Sequence, residues 1–274
     1  MKILKLPSLC LAAVLALLCA SAPAARAQDY EMKVGVQSYT LRNLNFDQMV
    51  EFCVKHKLKY VELIANHIDP KGPMEETKRR KEIMEKNGLV PYTFGVNGTT
   101  LDKEDNRKLF EFAKFMGMKL IIVEPGDFKI LDNLEELAKE YDIKVAIHNH
   151  GIKSMYGNPD VVKNVLKHRD RRIGVCLDVG WIASSRYDAA KIFQGYEGRV
   201  YDIHLKDKKV HCTDNGDVAT DVFIGEGDAN LKGLFKALKQ AKWDGILAVE
   251  TDNSLKDPSE HMDKAMKFVE ENKP

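Results

Sequence analysis

The chain has little cysteine, little tryptophan, no excess of either charge and, past its first 27 residues, no long apolar run. Five cysteines, at positions 10, 19, 53, 176 and 212, are too few and too scattered for a disulfide framework, so stability has to come from a packed core. Cys53 falls in a helical pattern and Cys176 in a strand pattern, where a small buried hydrophobe is the expected role. The 42 basic and 41 acidic residues are interspersed and leave a net charge of +1, which argues against a nucleic-acid partner. The run Lys78-Arg79-Arg80-Lys81 is a short basic stretch on a helical pattern and reads as a solvated face. A dinucleotide fingerprint is missing as well. Gly225-Glu226-Gly227-Asp228 has neither the spacing nor a preceding strand, and reads as a turn with a helix N-cap. Asn97-Gly98-Thr99 matches the glycosylation acceptor pattern but carries little weight alone.

The apolar exception is the N-terminus. Met1, Lys2 and Lys5 precede a nearly uncharged stretch over residues 6–25, which closes on the small-residue tripeptide Ala25-Arg26-Ala27. This order predicts a secretory signal over residues 1–27, cleaved before Gln28, and an exported protein, periplasmic or secreted. Pro7 and the small residues near the end of the run argue against stable membrane insertion. Residues 28–274 then form one catalytic domain, in which no repeat, low-complexity stretch or domain boundary is visible.

In that domain, apolar β-branched runs alternate with helical patterns. Strands are predicted over 33–39, 60–65, 90–96, 119–124, 144–149, 173–178, 200–205 and 245–250. Between them, Phe46-Met49-Val50-Cys53, Leu109-Phe112-Ala113-Met116 and Leu231-Leu234-Phe235-Leu238 repeat at helical spacing, and a last helix covers 262–271. Gly88 and Gly117 mark helix ends, and Asn158-Pro159 a helix start. Strands apolar on both faces and joined by helices imply a parallel sheet. Eight such units in about 250 residues predict an α/β fold, a single (β/α)8 barrel, in preference to a doubly wound open sheet.

In such barrels the chemistry sits at the C-terminal ends of the strands. There the chain places ionisable groups in succession: VAIHNH ends on His148 and His150, GVCLD on Asp178, VYDIHLKD on His204 and Lys206, and ILAVE on Glu250. Side chains alternate along a strand, so His148, Asp178, His204 and Glu250 can surround one point. Two imidazoles and two carboxylates suit a divalent ion such as Mn, Co, Zn or Fe, with Mg a further candidate. A lone histidine at a strand end is usually a hydrogen-bonded core residue; four candidate ligands on successive strands change that balance. Asn149, out of phase, reads as structural. Glu62 and Glu124 end other strands and are candidate general bases, and Lys206 can stabilise an oxyanion or pair with a neighbouring acid. Gln37 and Tyr39 end the first strand and are candidate substrate contacts.

Taken in order, GVQSYTLR (residues 35–42), YVEL (60–63), AIHNHG (146–151), CLDVGW (176–181), DIHLKD (202–207) and the closing Val249-Glu250 resemble the sugar phosphate isomerase/epimerase superfamily, the xylose isomerase-like TIM barrels. The resemblance spans the chain after residue 27. It implies a divalent metal held by His148, Asp178, His204 and Glu250, a carbohydrate substrate, and proton abstraction next to a carbonyl, with Glu62, Glu124, His150, Lys206 and Glu250 as candidate catalytic groups. Two departures stand out. His148 occupies a position where epimerases of this type carry glutamate, which undercuts a symmetric two-glutamate proton exchange. Trp181 stands where many relatives have histidine, and an indole there is expected to stack on a sugar face. The expected activity is therefore a sugar isomerase or epimerase. The alternatives are a keto-glycoside lyase, hydratase or dehydratase of the same superfamily and, outside enzymes, a catalytically silent sugar-binding barrel. Export favours a non-phosphorylated substrate.

Overall fold

The computed structural model describes residues 30–273; the expected signal segment, residues 1–27, and its expected cleavage site lie outside the described residues. Ten strands are present among those residues: β1 (Lys33–Gln37), β2 (Tyr60–Leu63), β3 (Val90–Asn97), β4 (Leu120–Val123), β5 (Lys144–His148), β6 (Ile173–Asp178), β7 (Val200–Leu205), β8 (Lys208–Thr213), β9 (Gly216–Asp221) and β10 (Ile246–Val249). The helices are α1 (Phe46–Lys55), α2 (Met74–Lys86), α3 (Lys103–Met116), α4 (Ile130–Tyr141), α5 (Pro159–Leu166), α6 (Val179–Ser184), α7 (Ala189–Gly195), α8 (Leu231–Ala241) and α9 (Ser259–Asn272). Eight strands close into a parallel barrel in the order β1-β10-β7-β6-β5-β4-β3-β2. Closure is explicit at β1, where Val36 is in register with Val249 on one side and Val61 on the other. An open doubly wound sheet is thereby excluded.

Local chemistry explains the element ends. Asp102 accepts a hydrogen bond from the Glu104 backbone N–H at 2.9 Å to start α3, and Gly117, at φ 81°, ends it in a left-handed turn that a Cβ would disfavour. Asn158 caps α5, and Pro159 supplies its first turn, where a missing N–H costs nothing. The apolar stripe Leu231, Leu234, Phe235 and Leu238 of α8 is buried. Inside the sheet, Leu120, Ile122, Ala146 and Cys176 form one buried cluster, and Tyr201 packs against it. Between β3 and α3, the fully buried Phe94 meets Phe112 edge-on with ring centroids 5.0 Å apart. Phe94→Ala is accordingly expected to cost about 3–5 kcal/mol of stability, read as a lower midpoint in urea unfolding.

The structure differs from the expectation in two places. A β-hairpin, β8–β9, intervenes between β7 and α8, turning at Asp214-Asn215, with Gly216 opening β9 at φ 104°. The Gly225–Asp228 loop is a turn as expected, but Asp228 does not cap α8. Its carboxylate takes the Val210 N–H and the Lys209 ammonium, while the loop itself is gathered by Asp207, which accepts from the backbone N–H groups of Gly225, Gly227 and Ala229. Asn97 of the glycosylation pattern donates its amide to the carbonyls of Phe94 and Ile122, so that amide is committed to the fold. Among the described residues no helix is long and apolar enough to cross a membrane.

Candidate active site

Register brings the candidate ligands together. His148 pairs with Cys176, Asp178 with His204, and His204 with Ala248, two residues before Glu250, so the tips of β5, β6, β7 and β10 present their side chains to one point. Each of His148, Asp178, His204 and Glu250 offers a ligand atom, and these atoms all lie within 4.8 Å of one another. His148 Nε2 is 3.6 Å from Asp178 Oδ2, and His204 Nδ1 is 2.6 Å from Glu250 Oε2. All four residues are buried.

The donor set fits a divalent cation on an observation independent of residue type. Both ring nitrogens of His148, Asp178 Oδ2, His204 Nδ1 and Glu250 Oε2 are shielded from solvent and make no hydrogen bond of acceptable geometry. Buried polar atoms are rarely left this way, and here they converge. The other Asp178 oxygen is spent on the Trp181 N–H at the start of α6 (2.9 Å), and Asn149 clasps the Asp178 backbone from both sides, which fixes the aim of Oδ2. The Lys206 ammonium balances part of the charge, at 3.0 Å from Asp178 Oδ2, 3.3 Å from Glu250 Oε1 and 2.7 Å from Asp252 Oδ1. Its stem passes over Gly180, where a Cβ would come within 2.7 Å of it. Burial works against ionising Glu250, but Lys206 and His204 outweigh it and hold the carboxyl at about 2; the same balance, led by Lys206, lowers Asp178. Burial keeps His148 neutral, the form in which imidazole ligates a metal.

Beside this cluster stands a second pair. His150 Nδ1 is 2.6 Å from Glu124 Oε2; the imidazole is 43% exposed and the carboxylate 25%, so the dyad faces the mouth. Hydrogen bonding to Glu124 raises the His150 pKa against the opposing effect of partial burial. A cavity of about 380 Å³ opens here, with His148, His150, Lys206, Glu250 and Asp252 on one side and Tyr39, Ile64, Ala65 and Val96 on the other. Its volume suits a small molecule. A larger cavity of about 770 Å³ lies at the opposite end of the barrel, but its Arg172 is paired with Asp142 and Asp170, and the convergent unsatisfied groups are at the mouth.

The remaining expected site residues are placed less simply. Glu62 is fully buried below the mouth, with its carboxylate turned to His204 Nε2, so it has no open path to a substrate. Gln37 lines the cavity, yet its amide is committed: Nε2 donates to Glu62 and to the Gly95 carbonyl, and Oε1 accepts from the Tyr39 N–H. Tyr39 is 40% exposed at the rim, with Arg42 stacked 4.1 Å from its ring. One face of Trp181 already carries the Lys208 ammonium at 4.0 Å, and its ring stands edge-on to His150 at 5.6 Å.

The profile of the family described as xylose isomerase-like TIM barrel matches residues 50–272. The chain belongs to this family. Within it, the chain is 28% identical over 216 residues to the inosose dehydratase of Clostridium perfringens strain 13, covering 63% of this chain and 73% of that one. An uncharacterised protein from Parabacteroides distasonis superposes with a TM-score of 0.69 at 27% identity, over 88% of this chain and 98% of its own. The IolI protein, solved with a zinc atom, shares the fold with a TM-score of 0.67 at 18% identity, over 87% and 97% of the two chains.

As a xylose isomerase-like barrel, the chain carries functional groups that the sequence reading passed over. Asp252 joins Lys206 to Lys208 at 2.7 and 2.8 Å, and Lys208 also pairs with Asp221 of the hairpin, so β8–β9 is tied to the rim through a buried lysine and the half-buried Asp252. Asp252 lies two residues beyond a strand end, where pattern alone assigns a loop. Asp202 sits within the strand, in phase with His204, and that phase was a usable signal.

Proposed function

We propose that this chain is a metal-assisted enzyme that abstracts a proton next to the carbonyl of a non-phosphorylated cyclic keto-sugar or keto-polyol and then expels a β-oxygen, as a dehydratase or keto-glycoside lyase. The observation that carries this reading is the asymmetry of the mouth. Proton exchange on both faces of a substrate calls for a basic group on each side; here the fifth strand offers His148, the cavity-lining carboxylate of Asp252 is spent on Lys206 and Lys208, and the His150–Glu124 dyad is left as the exposed base. Elimination needs only one such group.

His148, Asp178, His204 and Glu250 hold the divalent ion, which when bound supplies Lewis-acid polarisation of the substrate carbonyl. Glu124 accepts the Nδ1–H of His150 and leaves Nε2 free to take the proton from the carbon beside the carbonyl. The C–H electron pair moves toward the carbonyl oxygen, where the Lys206 ammonium faces the developing negative charge. As that pair returns, the bond to the β-oxygen breaks, and His150 hands its proton to the leaving oxygen, which departs as water or as an alcohol. The apolar wall at Tyr39, Ile64 and Val96 covers the less polar side of the substrate. The relationship to an inosose dehydratase supports the same class of outcome. We further propose that residues 1–27 direct export, which makes a phosphorylated substrate unsuitable.

The test is incubation of the metal-loaded protein with free and 3-keto sugars in D₂O, followed by NMR. Release of water or aglycone with formation of an unsaturated ketone is the expected result. Deuterium uptake beside the carbonyl with every C–O bond intact would favour the isomerase instead, and unchanged substrate would favour a silent binding barrel.

A further inference from the structure

We propose that Glu62 is a positioning residue: from beneath the barrel mouth it sets the tautomer and the aim of His204, so that Nδ1 meets the acidic cluster with a lone pair and not a proton. This rests on reading that cluster as a cation site.

The His204 ring lies between two carboxylates. Nε2 is 3.1 and 3.2 Å from the two Glu62 oxygens, and Nδ1 is 2.6 Å from Glu250 Oε2. Held between two carboxylates, the metal-free ring can carry a proton on each nitrogen; a cation at the cluster displaces one of them, and which proton stays depends on what else each carboxylate has. Glu250 has the Lys206 ammonium at 3.3 Å. Glu62 is fully enclosed inside the barrel, and its other partners are neutral: Gln37 Nε2 donates at 2.9 Å, and the Tyr92 hydroxyl lies 3.4 Å away. A buried carboxylate without a cation depends on every N–H it can collect, so Glu62 has the stronger claim on the His204 proton.

The layer around Glu62 is built to the same end. Asp202 Oδ2 is 3.8 Å from His204 Nε2 and 3.6 Å from the Cys176 thiol. Gln37 is held in turn by the Gly95 carbonyl and the Tyr39 N–H, which makes the chain from β1 through Glu62 to His204 continuous. Carboxylates placed behind a ligating histidine in this way orient the ring and raise its basicity.

The test uses the full folded chain and zinc as the probe. Long-range ¹H–¹⁵N spectra of the zinc-loaded wild type should show the remaining His204 proton on Nε2. Glu62→Gln should weaken zinc binding about 10–100-fold in a chelator competition, with Glu62→Asp in between. A wild-type proton on Nδ1, or a folded Glu62→Gln variant that binds zinc within about threefold of wild type, would overturn the role of Glu62 alone. If Glu62→Gln does not fold, the wild-type tautomer decides. A wild type that takes up no zinc would overturn the cation reading itself, and this inference with it.

Discussion

Asp178→Asn should leave a folded barrel that has lost about a thousandfold or more in kcat/KM. Carbonyl polarisation by a bound cation contributes several kcal/mol to the transition state, and each 1.4 kcal/mol or so corresponds to a factor of ten. The fold should survive because Asp178 has two separate tasks. Oδ1 caps α6 through the Trp181 N–H, a bond that an asparagine oxygen can keep, whereas Oδ2 faces His148, His204 and Lys206. An amide there turns a weaker oxygen or an N–H toward the centre. Far-UV circular dichroism with steady-state kinetics of the elimination reaction measures both halves of this expectation. An unchanged rate would separate the cluster from the chemistry.

His150→Ala should lower kcat by about 10²–10⁴ with KM little changed, the range found when a general acid–base group is removed. Glu124→Gln should cost less, because Glu124 acts by orienting the imidazole at 2.6 Å and by favouring its protonated form after proton transfer. The double variant should be no worse than His150→Ala alone, since both residues serve one step. Additive losses would give Glu124 an independent task at the mouth. A Glu124→Gln variant worse than His150→Ala would make the carboxylate the base and the histidine its support.

The barrel was legible because its signals are local and repeated. Apolar runs such as Leu-Ile-Ile-Val of β4 are buried at every position, and Asn158-Pro159 and Gly117 act within a single turn. Strand tips were legible for a related reason: alternation along β6 and β7 places Asp178 and His204 on the same side whatever the loops do. Depth within the barrel was not. Glu62 and Glu250 both read as strand-end carboxylates, yet Glu62 is fully enclosed between Gln37 and His204, which its position in the strand does not reveal. Long side chains were equally opaque. Lys206 and Lys208 follow a strand end where exposed lysines are ordinary, but Asp252 and Asp221, distant in sequence, draw both inside. The hairpin carried a readable signal in Asp214-Asn215-Gly216, hidden because the flanking residues, from Lys208 to Asp221, are mostly polar.

The central claim is that His148, Asp178, His204 and Glu250 together hold a divalent ion. The direct measurement is isothermal titration of the chelator-stripped, folded chain with zinc and manganese, with metal content of the isolated complex determined by mass spectrometry. One ion per chain is expected for the wild type, and its loss is expected in Asp178→Asn and in Glu250→Gln. A folded wild type that takes up no ion, or variants that bind it as tightly as the wild type, would contradict the account.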